Sequence, residues 1–273
     1  MVRKNNYGGE MKRFLNDLKK YKNYIVYATK AELKTEVINS YLGFIWLFLE
    51  PLCFMLIYTF IAQVIFGSKG ISYFPVFVFI GLSMWNFFNK TVTSSVKLVS
   101  SNRDTVTKVY IPKFVLLIIK MGVNLFKMLV SFLLVVIFMI FYNVPLTWNV
   151  LWFLPLIIVL IIFTFGICTL VMHFGVFAED LSNLITIFMK MIFYMTGIFY
   201  DISSKISNPV YRTILLDLNP MANLIHSMRQ ALLYGGSPVG LWTFVWLMIA
   251  IGLSCIGIKT IYKYENTYVK VMR

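Results

Sequence analysis

The chain has 273 residues, of which 59% are hydrophobic, 17% aromatic and only 13% charged, whereas a soluble domain carries about 25% charged residues. This composition excludes a soluble globular domain and reads as a membrane protein, with room for roughly five to seven helical spans in one membrane domain at about 20 apolar residues each. The net charge of +14 points, in this class, to basic cytoplasmic loops and anionic lipid rather than to nucleic acid.

Residues 1–43 hold nine Lys or Arg and no apolar run ending in a small-residue cleavage site, so no secretory signal is read there and the N-terminus is expected to stay in the cytoplasm. Within 24–42, Val26, Leu33, Val37 and Tyr41 share one side of a helix, with Glu32 and Glu36 turned away and Lys30 and Lys34 beside the stripe. Two readings stand: an interfacial helix with snorkelling lysines, or a cytoplasmic extension of the first span.

Long apolar runs near 44–66, 74–96, 113–142, 151–177, 183–200 and 239–261 predict six spans in an all-α protein. With the N-terminus inside, the cytoplasmic segments hold fifteen Lys or Arg and the outer segments four, Lys69 among them, which places both termini in the cytoplasm. Between spans five and six, residues 201–238 show apolar residues at helical spacing on both sides of Asn219-Pro220. This predicts two short helices broken at the proline, forming either a re-entrant hairpin or a surface loop on the outer side.

Sequence signatures of enzymes are absent: there is no phosphate-binding G-x-x-x-x-G-K-[ST], no H-E-x-x-H, and no paired acids in a large outer loop. His173 and His226 are isolated and read as hydrogen-bonded packing residues. The widely spaced Cys53, Cys168 and Cys255 sit in apolar runs and read as buried, with no disulfide framework.

Ionisable residues inside spans are expensive and are functional candidates by default. Glu50, Lys120, Lys127 and Lys190 lie at depths assigned to the cytoplasmic half. The lysines either snorkel to the interface or form a basic girdle around an inner vestibule that attracts a phosphate-bearing substrate, in which case Glu50 needs a partner. Among aromatics, Phe74, Phe77, Trp85 and Phe88 share one face of the second span, and Phe54 and Tyr58 one face of the first. Such rings stack on apolar sugar faces or pack against lipid and neighbouring helices.

At Tyr41-Leu42-Gly43-Phe44-Ile45-Trp46 and Glu50-Pro51-Leu52 the chain resembles the type-2 ABC exporter permeases of the polysaccharide (O-antigen) and teichoic acid export group. The resemblance continues through Gly81 and Trp85, then Asn102, Lys108-Val109-Tyr110-Ile111-Pro112, Glu179-Asp180-Leu181 and Ile198-Phe199-Tyr200. It closes with Asn219-Pro220-Met221, Arg229 and Leu232-Leu233-Tyr234-Gly235, covering residues 24–262.

The resemblance implies a homodimeric permease subunit in a bacterial plasma membrane, working with two copies of a separate ATPase that holds ATP and Mg. By the same resemblance this chain is expected to bind no cofactor of its own and to move a lipid-linked polymer across the membrane. It further implies that 24–42, with Lys30 and Lys34, lies against the ATPase, and that 97–112, with Arg103, Asp104 and Lys108, is the coupling segment. The hairpin with Asn219, Pro220 and Arg229 is then the outer gate, and Glu50, Tyr58, Trp85, Lys120, Lys127 and Lys190 are candidates for the pathway.

The resulting division is a cytoplasmic segment at 1–43, a six-span domain at 44–262 and a cytoplasmic tail at 263–273. Two positions depart from the group's pattern. Glu179 replaces the usual arginine before Asp180, and Gly197 replaces a proline, which predicts a less kinked fifth helix. An exporter of drugs or small lipids, a membrane-embedded polymer-synthesising enzyme and a structural scaffold remain alternatives.

Overall fold

The computed structural model describes residues 9–38, 41–65, 71–178 and 180–271; Lys69, Glu179 and residues 1–8 therefore lie outside the described residues. All regular structure among the described residues is helical: α1 (Gly9–Ile38), α2 (Trp46–Phe60), α3 (Phe74–Val96), α4 (Leu98–Ser101), α5 (Arg103–Lys108) and α6 (Lys113–Phe141), followed by α7 (Phe153–Phe177), α8 (Leu181–Met195), α9 (Ile202–Lys205), α10 (Pro209–Arg212), α11 (Pro220–Arg229) and α12 (Leu241–Val271).

Among the described residues, three stretches are long and apolar enough to cross a bilayer by themselves: Lys113–Phe141, Trp148–Phe177 and Leu241–Tyr268, of 29, 30 and 28 residues. α3 is less apolar and occupies the centre, packed by α2, α6, α7, α8 and α11. Its Phe77, Phe79, Ile80, Met84 and Phe87 are almost fully enclosed. Burial among other helices permits its polar residues: Ser83 donates to the Phe79 carbonyl at 2.8 Å, and Asn124 of α6 donates to Thr91 at 3.0 Å. The α7 and α12 helices meet along small residues, where a Cβ on Gly166 would lie 2.9 Å from that of Leu253 and one on Gly257 would overlap Thr169.

Several boundaries differ from the sequence expectation. α1 begins at Gly9, fifteen residues before the predicted interfacial segment. Its inward side carries Tyr21, Ile25 and Ala28 against the core and Glu32 against α6, while Val26 is 47% exposed and Tyr41 fully so. The predicted stripe is thus displaced around the helix, because the packing surface offered by α6 includes lysines that select the glutamate side.

α8 stops at Met195 rather than at residue 200. Gly197 adopts φ +68°, and a Cβ there would fall 2.7 Å from the Ile202 side chain. Instead of straightening the helix, this glycine lets the chain turn out of it. At 15 residues, α8 is about 22 Å long, short of a typical hydrocarbon core. α12 runs on to Val271, so residues 263–271 continue the last apolar helix.

Cys168 is buried as expected, Cys255 is partly so, and Cys53 is exposed on the outward face of α2. That face is apolar, with Phe54, Leu56 and Ile57 also exposed, so a small hydrophobe suits it without burial inside the chain.

Candidate functional site

Four regions gather the candidate residues, and the first is an aromatic cleft of about 440 Å³ between α2, α3 and α8. Phe54, Tyr58, Trp85, Asn86, Asn89, Lys190, Phe193 and Tyr194 line it. Tyr58 packs on Phe199 with ring centroids 4.6 Å apart, and Trp85 on Phe193 at 5.5 Å. Helical spacing places Phe54 and Tyr58 one turn apart, and the turn after α8 folds Phe199 back on them. The structure therefore unites Tyr58, Trp85 and Lys190. Trp85 is only 3% exposed and forms the floor, whereas Lys190 is exposed at the rim.

A second cavity of about 140 Å³, with two ion pairs in its lining, lies beside the first, sharing Asn86 with it. Here Lys90 of α3 donates to Glu50 of α2 at 2.7 Å, and Lys127 of α6 pairs with Glu36 of α1 at 2.5 Å. One step away, Lys120 donates to Glu32 at 2.6 Å, beside a separate cleft that also holds Tyr24, Ser101 and Lys97.

These pairs correct two expectations. Glu32 and Glu36, expected to turn away from the side of the helix that packs, face α6, and Lys120, Lys127 and Lys190 line three different cavities rather than the one vestibule of the girdle alternative. A carboxylate at hydrogen-bond distance offsets the cost of a lysine in an apolar helix, and α1 supplies two. The partner that Glu50 needs is Lys90, an intraspan cation hidden in a run of aromatic and hydroxyl residues.

The third region is the hairpin that follows α8. Asn219 caps α11 by accepting from the backbone N–H groups of Met221 and Ala222 at 3.1 and 3.3 Å, and its amide donates to Thr196 at 3.4 Å. Pro220 occupies the first turn, where its missing N–H costs nothing. The leg that follows is buried, including Met221, Leu224, Ile225 and Met228, while Val210 and Tyr211 on the other leg are exposed.

Arg229, 4% exposed, donates to the carbonyls of Phe77, Gly197 and Ile198 at 3.1, 2.9 and 3.0 Å. A Cβ on Gly81 would come within 2.7 Å of the Arg229 guanidinium, so α3 admits the side chain only because residue 81 is glycine. Outside the hairpin's legs, burial pushes the Asp201 carboxyl up, but bonds donated by the Ser203 hydroxyl and N–H outweigh it and leave it below its ordinary value.

At the opposite end, α4 and α5 form two short turns between α3 and α6, with Leu98, Val99 and Val106 buried and Ser100, Ser101, Arg103 and Asp104 exposed. Arg13 donates to the Tyr110 hydroxyl at 2.7 Å and to Glu265 at 3.0 Å; Tyr262 donates to Asp17 at 2.8 Å. Burial pushes the Tyr110 hydroxyl up, and the neighbouring Glu265 charge adds to the shift. Thus α1, the 97–112 segment and the end of α12 meet at one end of the bundle. Lys30, Lys34, Arg103, Asp104 and Lys108 are exposed there or along α1. Asn149, reaching the carbonyls of Gly235 and Gly236 at 2.7 and 2.9 Å, joins the other end.

His173 bonds the Tyr268 hydroxyl at 2.8 Å, and His226 lies 3.5 Å from the Gln230 amide. Both sit within packed surroundings.

An all-helical bundle with three long apolar helices, charged residues paired between helices and clefts open between them is that of an integral membrane protein. The chain belongs to the ABC-2 type transporter family, whose profile matches residues 24–233. It is 30% identical over 224 residues to the O-antigen export system permease protein RfbA of Myxococcus xanthus, covering 82% of this chain and 85% of that one. It is 25% identical over 251 residues to a Klebsiella pneumoniae protein of the same description, covering 91% and 94%. As a family member it is a transport subunit and not itself an enzyme.

Proposed function

We propose that this chain is the permease subunit of an ABC exporter that carries a lipid-linked cell-surface polysaccharide across the bacterial plasma membrane, driven by a separate ATPase. The observation that carries the reading is the near full-length similarity to permeases described as exporting O-antigen; the aromatic cleft gives it a physical basis. Stacked rings accept the apolar faces of sugars without fixing their sequence, and Asn86, Asn89 and Lys190 supply hydrogen bonds and charge beside them.

In this reading the six apolar helices α2, α3, α6, α7, α8 and α12 span the membrane, with α8 completed by the turn after Met195. Both termini and the 97–112 segment face the cytoplasm, following the lysine and arginine excess at that end. α1 and the α4–α5 segment receive two copies of the ATPase, whose ATP and Mg lie outside this chain. The hairpin capped by Asn219 and anchored by Arg229 closes the outer end.

Two copies pair through the apolar side carrying Phe54, Leu56 and Ile57 of α2 and Ile187, Phe188 and Met191 of α8, all more than 40% exposed. Pairing there encloses the cleft between protomers. A teichoic acid, with polyol phosphates in place of sugars, would use the same route. The test is complementation: a strain lacking its O-antigen permease but retaining the ATPase regains surface polysaccharide when this chain is supplied with its own ATPase. Surface polysaccharide that stays absent despite membrane expression of both chains contradicts the proposal.

A further inference from the structure

α1 is held against α6 at three points. Glu32 meets Lys120 at 2.6 Å, Glu36 meets Lys127 at 2.5 Å, and Thr29 lies over Gly122, where a built Cβ would stand 3.1 Å from the threonine methyl and 3.8 Å from its Cβ. The two lysines are separated by about 10 Å along α6, so the contacts fix both position and angle. A slide of one helical turn, about 5.4 Å, would carry one glutamate to the place of the other and leave one of the two lysines unpartnered in an apolar helix. Stability alone does not account for the arrangement, because ion pairs with side chains a quarter or more exposed contribute little to it. What the pairs supply is register.

We propose that Glu32 and Glu36 are positioning residues that bind α1 to α6 as one lever, so that force delivered to α1 by the ATPase moves α6 without slippage. The inference rests on the proposed permease reading, in which α1 receives the ATPase. Motion at α6 reaches the second cavity, since Lys127 lines it together with the Glu50–Lys90 pair, and α2 and α3 carry that pair onward to the aromatic cleft.

The test uses the full chain with its ATPase in proteoliposomes containing a diphosphate-linked glycan. First, Thr29→Cys with Gly122→Cys is made in a background free of native cysteines; the 3.8 Å Cβ separation matches disulfide geometry. A lever keeps working when stapled, so the oxidised protein is expected to export within twofold of the reduced one. Loss of export on oxidation, restored by reductant, would show that α1 must leave α6 and would overturn the proposal.

Second, Glu32→Lys with Glu36→Lys is expected to lower glycan exported per ATP at least tenfold while the ATPase still co-purifies. Adding Lys120→Glu and Lys127→Glu should return the ratio to within threefold. An unchanged ratio in the reversed protein, or a loss that the swap does not restore, contradicts the lever. Should the reversed chain fail to accumulate, Glu32→Gln with Glu36→Gln is read by the same ratio. A wild-type chain that neither retains the ATPase nor exports contradicts the permease reading itself, whereas an active wild type with unaffected variants contradicts only this inference.

Discussion

The guanidinium carbon of Arg229 stands 3.3 Å from the centroid of the Phe77 ring while the same side chain bonds the Phe77 carbonyl. One arginine therefore ties α11 to α3 by its face and to the turn after α8 by its edge. Hydrogen bonds to a charged group are each worth about 1.5–3 kcal/mol, and an aromatic face adds to them. Arg229→Ala is expected to lower the melting temperature of the detergent-solubilised protein and to abolish export. Arg229→Lys, which keeps charge but not the planar fork, should recover only part of the stability.

Gly81→Ala tests the same contact from the opposite side. The added methyl group occupies the space of a guanidinium nitrogen, so it is expected to destabilise by about 1–3 kcal/mol, the range for overpacking. In an Arg229→Ala background the same change should cost far less, a non-additivity that a thermal-shift double-mutant cycle reads directly. Additive costs would place the two residues out of contact.

Lys190, proposed as a pathway cation, is exposed on the cleft rim. Lys190→Gln is expected to raise, by severalfold, the concentration of diphosphate-linked glycan needed for half-maximal export, with folding unaffected, since a cleft of one sign gathers an oppositely charged ligand. Lys120→Gln with Lys127→Gln should leave that concentration unchanged and lower export per ATP instead. A concentration-dependence assay separates the two; the reverse pattern would return the girdle and remove the lever.

The segment proposed to couple to the ATPase makes a different demand. Replacing Arg103 and Asp104 together by alanine is expected to weaken retention of the ATPase on the permease while membrane expression persists, because exposed charges contribute little to stability. Pull-down of the ATPase at increasing salt reads this. Undiminished retention with normal export contradicts the assignment of α5 to coupling.

Orientation is checked by labelling. Ser100→Cys, exposed in α4, is expected to resist an impermeant thiol reagent in intact cells, whereas Val210→Cys, 62% exposed on the hairpin, is modified. Labelling of the first alone inverts the topology.

Much of the helical layout was legible because hydropathy and breakers coincide: Pro75 near the start of α3 and Pro112 before α6 mark starts that the structure places at Phe74 and Lys113. The hairpin was legible at Asn219-Pro220 for the same reason, a capping side chain followed by a residue suited to the first turn. The beginning of α1 was not, since residues 9–23 are polar and lysine-rich and owe their order partly to contacts with Tyr110, Tyr262 and Glu265, far away in sequence.

The end of α8 was missed because an apolar run continues to Phe199 while the backbone turns at Gly197. The ion pairs were missed for a more general reason. Glu32 and Lys120 are 88 residues apart, and helical periodicity on either segment says which residues share a side but not which helix that side meets. Lys90 escaped notice inside an apolar span, although an unpaired-looking Glu50 was itself the signal that such a cation had to exist.

The proposed activity is that this chain, with a separate ATPase, moves a lipid-linked glycan across a bilayer. It is tested most directly by co-reconstituting both proteins in sealed vesicles loaded with a fluorescent diphosphate-linked oligosaccharide in the leaflet on the ATPase side. ATP-dependent appearance of the label on the opposite side is expected, absent with a hydrolysis-deficient ATPase and reduced severalfold by Lys190→Gln at low substrate. Label that stays in its original leaflet while ATP is hydrolysed, with both chains intact and associated, would contradict it.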